Sequence, residues 1–122
     1  MINHIVLMVL VLVLFFPLNE VYGTPIKWTE VANNYNGKQY WDIRSLEILD
    51  ESEIIIVSKF VPVNQSYTEE IIYRMDIDCN GKRYRDIEVN GITSENNSKW
   101  SLPDGDILIK RVIDDSCKKA FT

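Results

Sequence analysis

The chain has 122 residues, 46% hydrophobic and 25% charged, with a formal net charge of −5. That acidity argues against a nucleic-acid binder, whose affinity rests on neutralising phosphates. No G-x-G-x-x-G or P-loop appears, so no nucleotide cofactor is expected, and the length suits one domain.

Ile5 to Phe16 is an unbroken run of 12 apolar residues, followed by Pro17, Asn19 and Glu20. A bilayer span needs about 20 such residues, so the run fits the apolar region of a secretory signal peptide instead. Val21 and Gly23 supply tolerable residues at −3 and −1, which predicts a signal peptide over 1–23 and a single domain over 24–122. The only histidine, His4, lies in the leader, so the mature chain has none. Ser/His/Asp and Cys/His nucleophilic arrangements and His-containing zinc sites are thereby excluded, and no enzyme is expected.

Ile26 to Ala32 reads as a first strand with Ile26 and Trp28 on one face, followed by an Asn/Gly turn at Asn33 to Gly37. Lys38 to Ile43 is a short aromatic strand. Leu46 and Leu49, one turn apart, suggest a helical turn over Arg44 to Asp50. Ile54 to Val63 is apolar on both faces, which predicts a strand covered on both sides. Asn64 to Thr68 is a polar loop.

From Ile71 the alternation is strict. Ile71, Tyr73, Met75, Ile77 and Cys79 share one face, and Arg74, Asp76 and Asp78 the other. Asn80-Gly81 predicts a two-residue type I′ turn. That register sets Asp78 opposite Arg83, Asp76 opposite Arg85 and Ile77 opposite Tyr84, with Asp86 opposite Met75, where the pairing should end or bulge. Asn90-Gly91 marks another turn, and Ser94 to Lys99 is polar. Asp104 and Asp106 are candidate N-caps for an amphipathic helix whose Ile109, Ile113 and Cys117 lie at i, i+4, i+8, with Val112, Ala120 and Phe121 nearby. Lys118 and Lys119 end it, as the helix dipole favours. Cys79 and Cys117, an even count in an exported domain, read as one disulfide that would staple the helix to the hairpin. The fold class is α+β, a small antiparallel sheet with a C-terminal helix on one face.

Asp76 to Gly81 matches the first half of an EF-hand loop, but Ile87 stands where a bidentate Glu is required, so the hairpin explains it better and no metal is expected. Lys82, Arg83 and Arg85 form the most basic cluster. They would meet an anionic partner, or Arg83 and Arg85 would simply be neutralised by Asp78 and Asp76. Asp104, Asp106, Asp114 and Asp115 are explained by capping and surface charge. Trp28, Trp41 and Trp100 could line a ligand site, although large aromatics in a small domain are more often core. Asn64-Gln65-Ser66 and Asn96-Asn97-Ser98 are glycosylation sequons.

Taken in order, the leader, Trp28, the Gly37-Lys38-Gln39-Tyr40-Trp41-Asp42-Ile43 segment, a long apolar strand, Asp78-Cys79, the basic return Lys82-Arg83-Tyr84-Arg85, Trp100, Pro103 and a terminal helix bearing Cys117 form a pattern. It resembles the surface-adhesin protein E-like family, small exported proteins of Gram-negative bacteria. The resemblance implies a sheet with a disulfide-fixed helix and a module that binds host matrix or envelope proteins, with Lys82 and Arg83 as the ligand contacts. It further implies a periplasmic, secreted or cell-surface location. The family's namesake is lipid-anchored, whereas no cysteine stands at this cleavage point, so no stable membrane anchor is expected once the leader is removed. The alternative function is a soluble periplasmic inhibitor or accessory protein of an envelope or foreign hydrolase. An intact mass matching Thr24 to Thr122 less two hydrogens, in the soluble periplasmic or secreted fraction, is expected from a fractionated host. The full-length mass in the membrane fraction would instead show that the apolar run is kept as an anchor.

Overall fold

The computed structural model describes residues 25–63, 69–95 and 99–122. The leader expected over 1–23, the polar loop expected at Asn64 to Thr68 and both sequon asparagines lie outside the described residues.

Among the described residues seven strands precede one α-helix: β1 (Trp28–Asn34), β2 (Gly37–Asp42), β3 (Glu47–Ile48), β4 (Glu53–Pro62), β5 (Ile71–Asp78), β6 (Arg83–Val89), β7 (Ile92–Thr93) and α1 (Ile107–Phe121). All pair antiparallel in one sheet of order β1-β2-β4-β5-β6-β7, with β3 also on β4. The expected α+β architecture is therefore what the chain adopts. The helical turn expected over Arg44 to Asp50 is not. A short 3-10 turn, Ile43–Ser45, is followed directly by β3. Asp42 caps the start of that turn, its Oδ1 accepting from the amides of both Arg44 and Lys27 at 2.9 Å. The Ser45 hydroxyl then accepts from the Val57 amide at 2.8 Å, pulling the chain back onto β4.

Sequence alternation predicts the β5–β6 register correctly. Asp78 faces Arg83, Ile77 faces Tyr84 and Asp76 faces Arg85, and after Met75 opposite Asp86 the ladder bulges. The turn itself differs from expectation. Neither Asn80 nor Gly81 takes a positive φ; only Lys82 does, at 51°. Asp78 Oδ1 accepts from the amides of Asn80 (3.1 Å) and Gly81 (3.2 Å), so an Asx turn shapes a four-residue connection over 79–82. A Cβ at Gly81 would lie 2.8 Å from Asp78 Oδ2, so a side chain there would have to displace the carboxylate that shapes the turn. The type I′ geometry occurs instead at the other Asn-Gly, where Asn90 (φ 51°) and Gly91 (φ 79°) join the Val89–Ile92 pair.

The core lies between α1 and one face of the sheet. Trp41, Ile54, Ile56, Met75, Ile77 and Val112 are fully buried there, each worth about 1.5–3 kcal/mol relative to exposure. Asp106 caps α1 through the amides of Leu108 and Ile109, 3.1 Å each. The helix buries Leu108, Val112, Ile113, Ser116 and Cys117 and packs across β1, β2 and β4. Its apolar stripe is centred nearer Val112 than the Ile109 repeat suggests, which leaves Phe121 40% exposed. Two contacts fix its seat. Cys79 and Cys117 are joined, with Cα atoms 5.7 Å apart, and the indole Nε1 of buried Trp41 donates to Asp115 Oδ2 at 2.6 Å. Asp115 thus has a structural role beyond surface charge.

The expectation that β4 is covered on both sides fails. Its even residues from Ile54 to Ser58 are buried under α1, whereas Ile55, Val57 and Lys59 are only half-buried on a face that no described element covers.

Reducing the disulfide, which spans a sequence separation of 38, should lower stability by about 4 kcal/mol at most in denaturant unfolding. Trp41→Phe stays aromatic but loses the donor to Asp115 and part of the indole's volume in the core, and should cost about 1–3 kcal/mol or more by the same assay.

Candidate functional site

Successive strand residues point to opposite faces, so burying Trp41 beneath the helix sends its neighbour Tyr40 to the open face. The register carries this parity across the sheet: Tyr40 lies beside Glu30 and Lys59, and Lys59 beside Ile72. Two cation–aromatic groups result. Lys59 Nζ lies 4.5 Å from the Trp28 ring centre and 4.9 Å from that of Tyr40, and 3.6 Å from Glu70. With a side chain only 12% exposed, this ammonium is held largely by ring faces and one carboxylate. At the far corner Arg85 and Arg83 lie 4.2 Å and 4.9 Å from the Trp100 ring centre. Trp100 reaches them because Ser101 pairs with Tyr84 through two backbone hydrogen bonds of 2.9 and 2.7 Å.

Between the two groups runs a set of ion pairs. Arg74 lies between Glu47 (3.5 Å) and Glu88 (3.7 Å). Arg85 places Nε and Nη2 at 2.9 and 2.8 Å from Asp76 Oδ2, with Glu53 at 3.9 Å. Asp76 is buried, and its Oδ1 has no partner among the described residues. The hydrogen bond that a protonated Glu53 makes to Asp76 raises the Glu53 carboxyl above its ordinary value, with burial and the Asp76 charge adding to it.

The two residues expected as ligand contacts do not sit together. Arg83 Nε donates to Asp78 Oδ2 at 2.8 Å and stacks on Trp100. Lys82, turned by its positive φ, points to the helix side, 3.6 Å from Asp114. The neutralisation of Arg83 and Arg85 by Asp78 and Asp76, weighed from the sequence, is the observed arrangement. Asp104 and Asp106 precede the helix, Asp114 pairs with Lys82 and Asp115 holds Trp41, so these four carboxylates are spread over separate tasks. Among the described residues, no group of three or more His, Cys, Asp or Glu could hold a metal ion.

Sequence reasoning missed Trp28 and Trp100 as surface residues. Their size favours the core, and Trp41 does occupy it, but the other two are half-buried beneath cations on the open face. The available signal was Lys59. A lysine in the middle of an apolar β-branched strand needs a seat, and aromatic faces are the cheapest one.

Against this geometry, a family model matches residues 29–122, from the second residue of β1 through the helix. The chain belongs to the surface adhesin-E family. No curated protein and no solved structure matches it. Surface adhesin-E membership suggests an adhesin-like binding role, protein partners in general and a non-enzyme. The family and the disulfide fit an exported protein. Among the described residues no helix is long and apolar enough to cross a membrane.

Two carboxylates should report the electrostatics with opposite signs. The Arg83 hydrogen bond holds Asp78 below its ordinary range, so its stabilisation is present at neutral pH and lost as pH falls through the lowered value. Burial raises Asp86, so its ionised form costs stability at neutral pH, and that cost disappears below the unfolded value. Unfolding midpoints across the acid range should therefore show Asp78→Asn less stable and Asp86→Asn more stable than the parent at pH 7. Both gaps should close on acidification.

Proposed function

We propose that this surface adhesin-E protein is an exported, non-enzymatic binding module. It recognises an extracellular or envelope protein through the open face of its sheet, with Arg83 within that face and Lys82 at its rim. The supporting observation is the placement of Trp28 and Trp100 on the face away from the helix, each beneath a cation. Tryptophan and arginine are the side chains that most often dominate protein recognition, because they give large rigid contact area and directional charge. Here Arg83 and Arg85 are held by ion pairs with Asp78 and Asp76, and Trp100 lies against both guanidinium groups, so little freedom is lost on binding. The face is also amphiphilic, with half-buried Ile55, Val57 and Ile72 among the charges. The apolar run Ile5 to Phe16, read as a leader over 1–23, and the disulfide support export, with the periplasm, the medium or the cell surface as destination.

The test is affinity for matrix and serum proteins by surface plasmon resonance. Lys82→Glu combined with Arg83→Glu should weaken an identified partner by about fivefold or more, with circular dichroism unchanged. Unaltered affinity would remove these two residues from the interface. A stoichiometric complex with an envelope or foreign hydrolase, and none with matrix proteins, would replace adhesion by inhibition.

A further inference from the structure

A cleft of about 1120 Å³ opens on the other side of the sheet, beneath the start of α1. Phe60, Ile71 and Tyr73 form its apolar floor, and residues 104–109 form the opposite wall. Its charged lining is entirely acidic: Glu69, Asp104 and Asp106, with no lysine, arginine or histidine among the residues that line it. Lys82 and Lys110 line a separate, smaller cleft beyond the 102–105 turn.

A helix N-terminus ordinarily attracts anions, but here Asp106 Oδ1 already takes the amides of Leu108 and Ile109. Glu69 and Asp104 have no ion-pair or hydrogen-bond partner among the described residues. Asp86 adds a fourth negative charge behind the floor. It faces the helix side of β6, and its charge, with that of Asp106, helps to raise the hydroxyls of Tyr73 and Tyr84 beyond what burial does. An independent observation comes from Gln39. This cleft-lining amide is 1% exposed, and its Nε2 has no acceptor among the described residues. A buried donor left without a partner is uncommon and costly.

We propose that this cleft docks an extended, lysine- or arginine-bearing segment of a protein partner. The cationic head answers Glu69 and Asp104, its alkyl stem lies on Phe60, Ile71 and Tyr73, and a backbone carbonyl of the segment accepts from Gln39. The cation is organic rather than metallic, because the acids do not converge in a group that could hold an ion. A neutral saccharide would leave the carboxylates unanswered. The site is separate from the open face, so either can fail alone.

The experiment is a titration of the full, oxidised, ¹⁵N-labelled chain with a blocked pentapeptide alternating alanine and lysine. A glutamate counterpart and a neutral oligosaccharide serve as comparisons. The lysine peptide should shift the Gln39 side-chain amide and the backbone amides of Ile107, Leu108 and Ile109, and added salt should weaken it. Glu69→Gln with Asp104→Asn should weaken binding about two- to thirtyfold, and the volume-conserving Gln39→Met should weaken it as well. Lys82→Glu with Arg83→Glu should not. The inference is overturned if the lysine peptide shifts only open-face residues or none. It is equally overturned if the glutamate peptide or the saccharide shifts the same amides as strongly, or if the acid-to-amide variant binds unchanged.

Discussion

The seating of one helix on one face of the sheet is the constraint on which the rest depends. A sheet this size has two faces and, among the described residues, a single α-helix to cover them. Trp41 decides which face is covered, because its ring fills the core while its N–H requires an acceptor, which Asp115 supplies from the helix. The Cys79–Cys117 bond, two residues further along α1, holds the same C-terminal half of the helix against the start of the β5–β6 turn. With both anchors made, strand alternation sends Trp28, Tyr40, Lys59, Arg74 and Arg85 to the opposite side as a group. The open face is thus a by-product of the core, and its composition follows from parity.

Parity also explains why the open face can carry so many charges without repelling itself. Each cation there has a carboxylate or a ring face within reach: Lys59 has Trp28, Tyr40 and Glu70, Arg74 has Glu47 and Glu88, and Arg85 has Asp76, Glu53 and Trp100. Exposed pairs of this kind add little stability individually. Their effect is to fix the orientation of long side chains that would otherwise sample many rotamers. On the helix side the balance is reversed, with carboxylates clustered around the start of α1 and few cations among them.

Much of the fold was legible in the sequence because several signals agreed. Between Ile71 and Arg85, alternation, opposite-charge pairing and an Asn-Gly step all specify one register, and the structure has it. The step's conformation was not legible, because it depends on which local donor wins. Asp78 binds the two amides that follow and bends the chain before a type I′ turn can form. Near Leu46 the apolar spacing imitates a helix, yet the Ser45 hydroxyl accepts from the Val57 amide and Glu47 and Ile48 pair with β4, so the chain extends into β3 instead. Trp28 and Trp100 were misread for a different reason. Size alone argues for burial, and only knowledge of which strand face meets the helix, together with the exposed cations that rings can receive, places them outside.

The disulfide encloses β6, β7, the connection over residues 94–106 and most of α1 in a single covalent ring. A cut anywhere between Cys79 and Cys117 leaves one molecule, because both fragments stay joined through sulfur. The bond therefore confers resistance to dismemberment as well as stability.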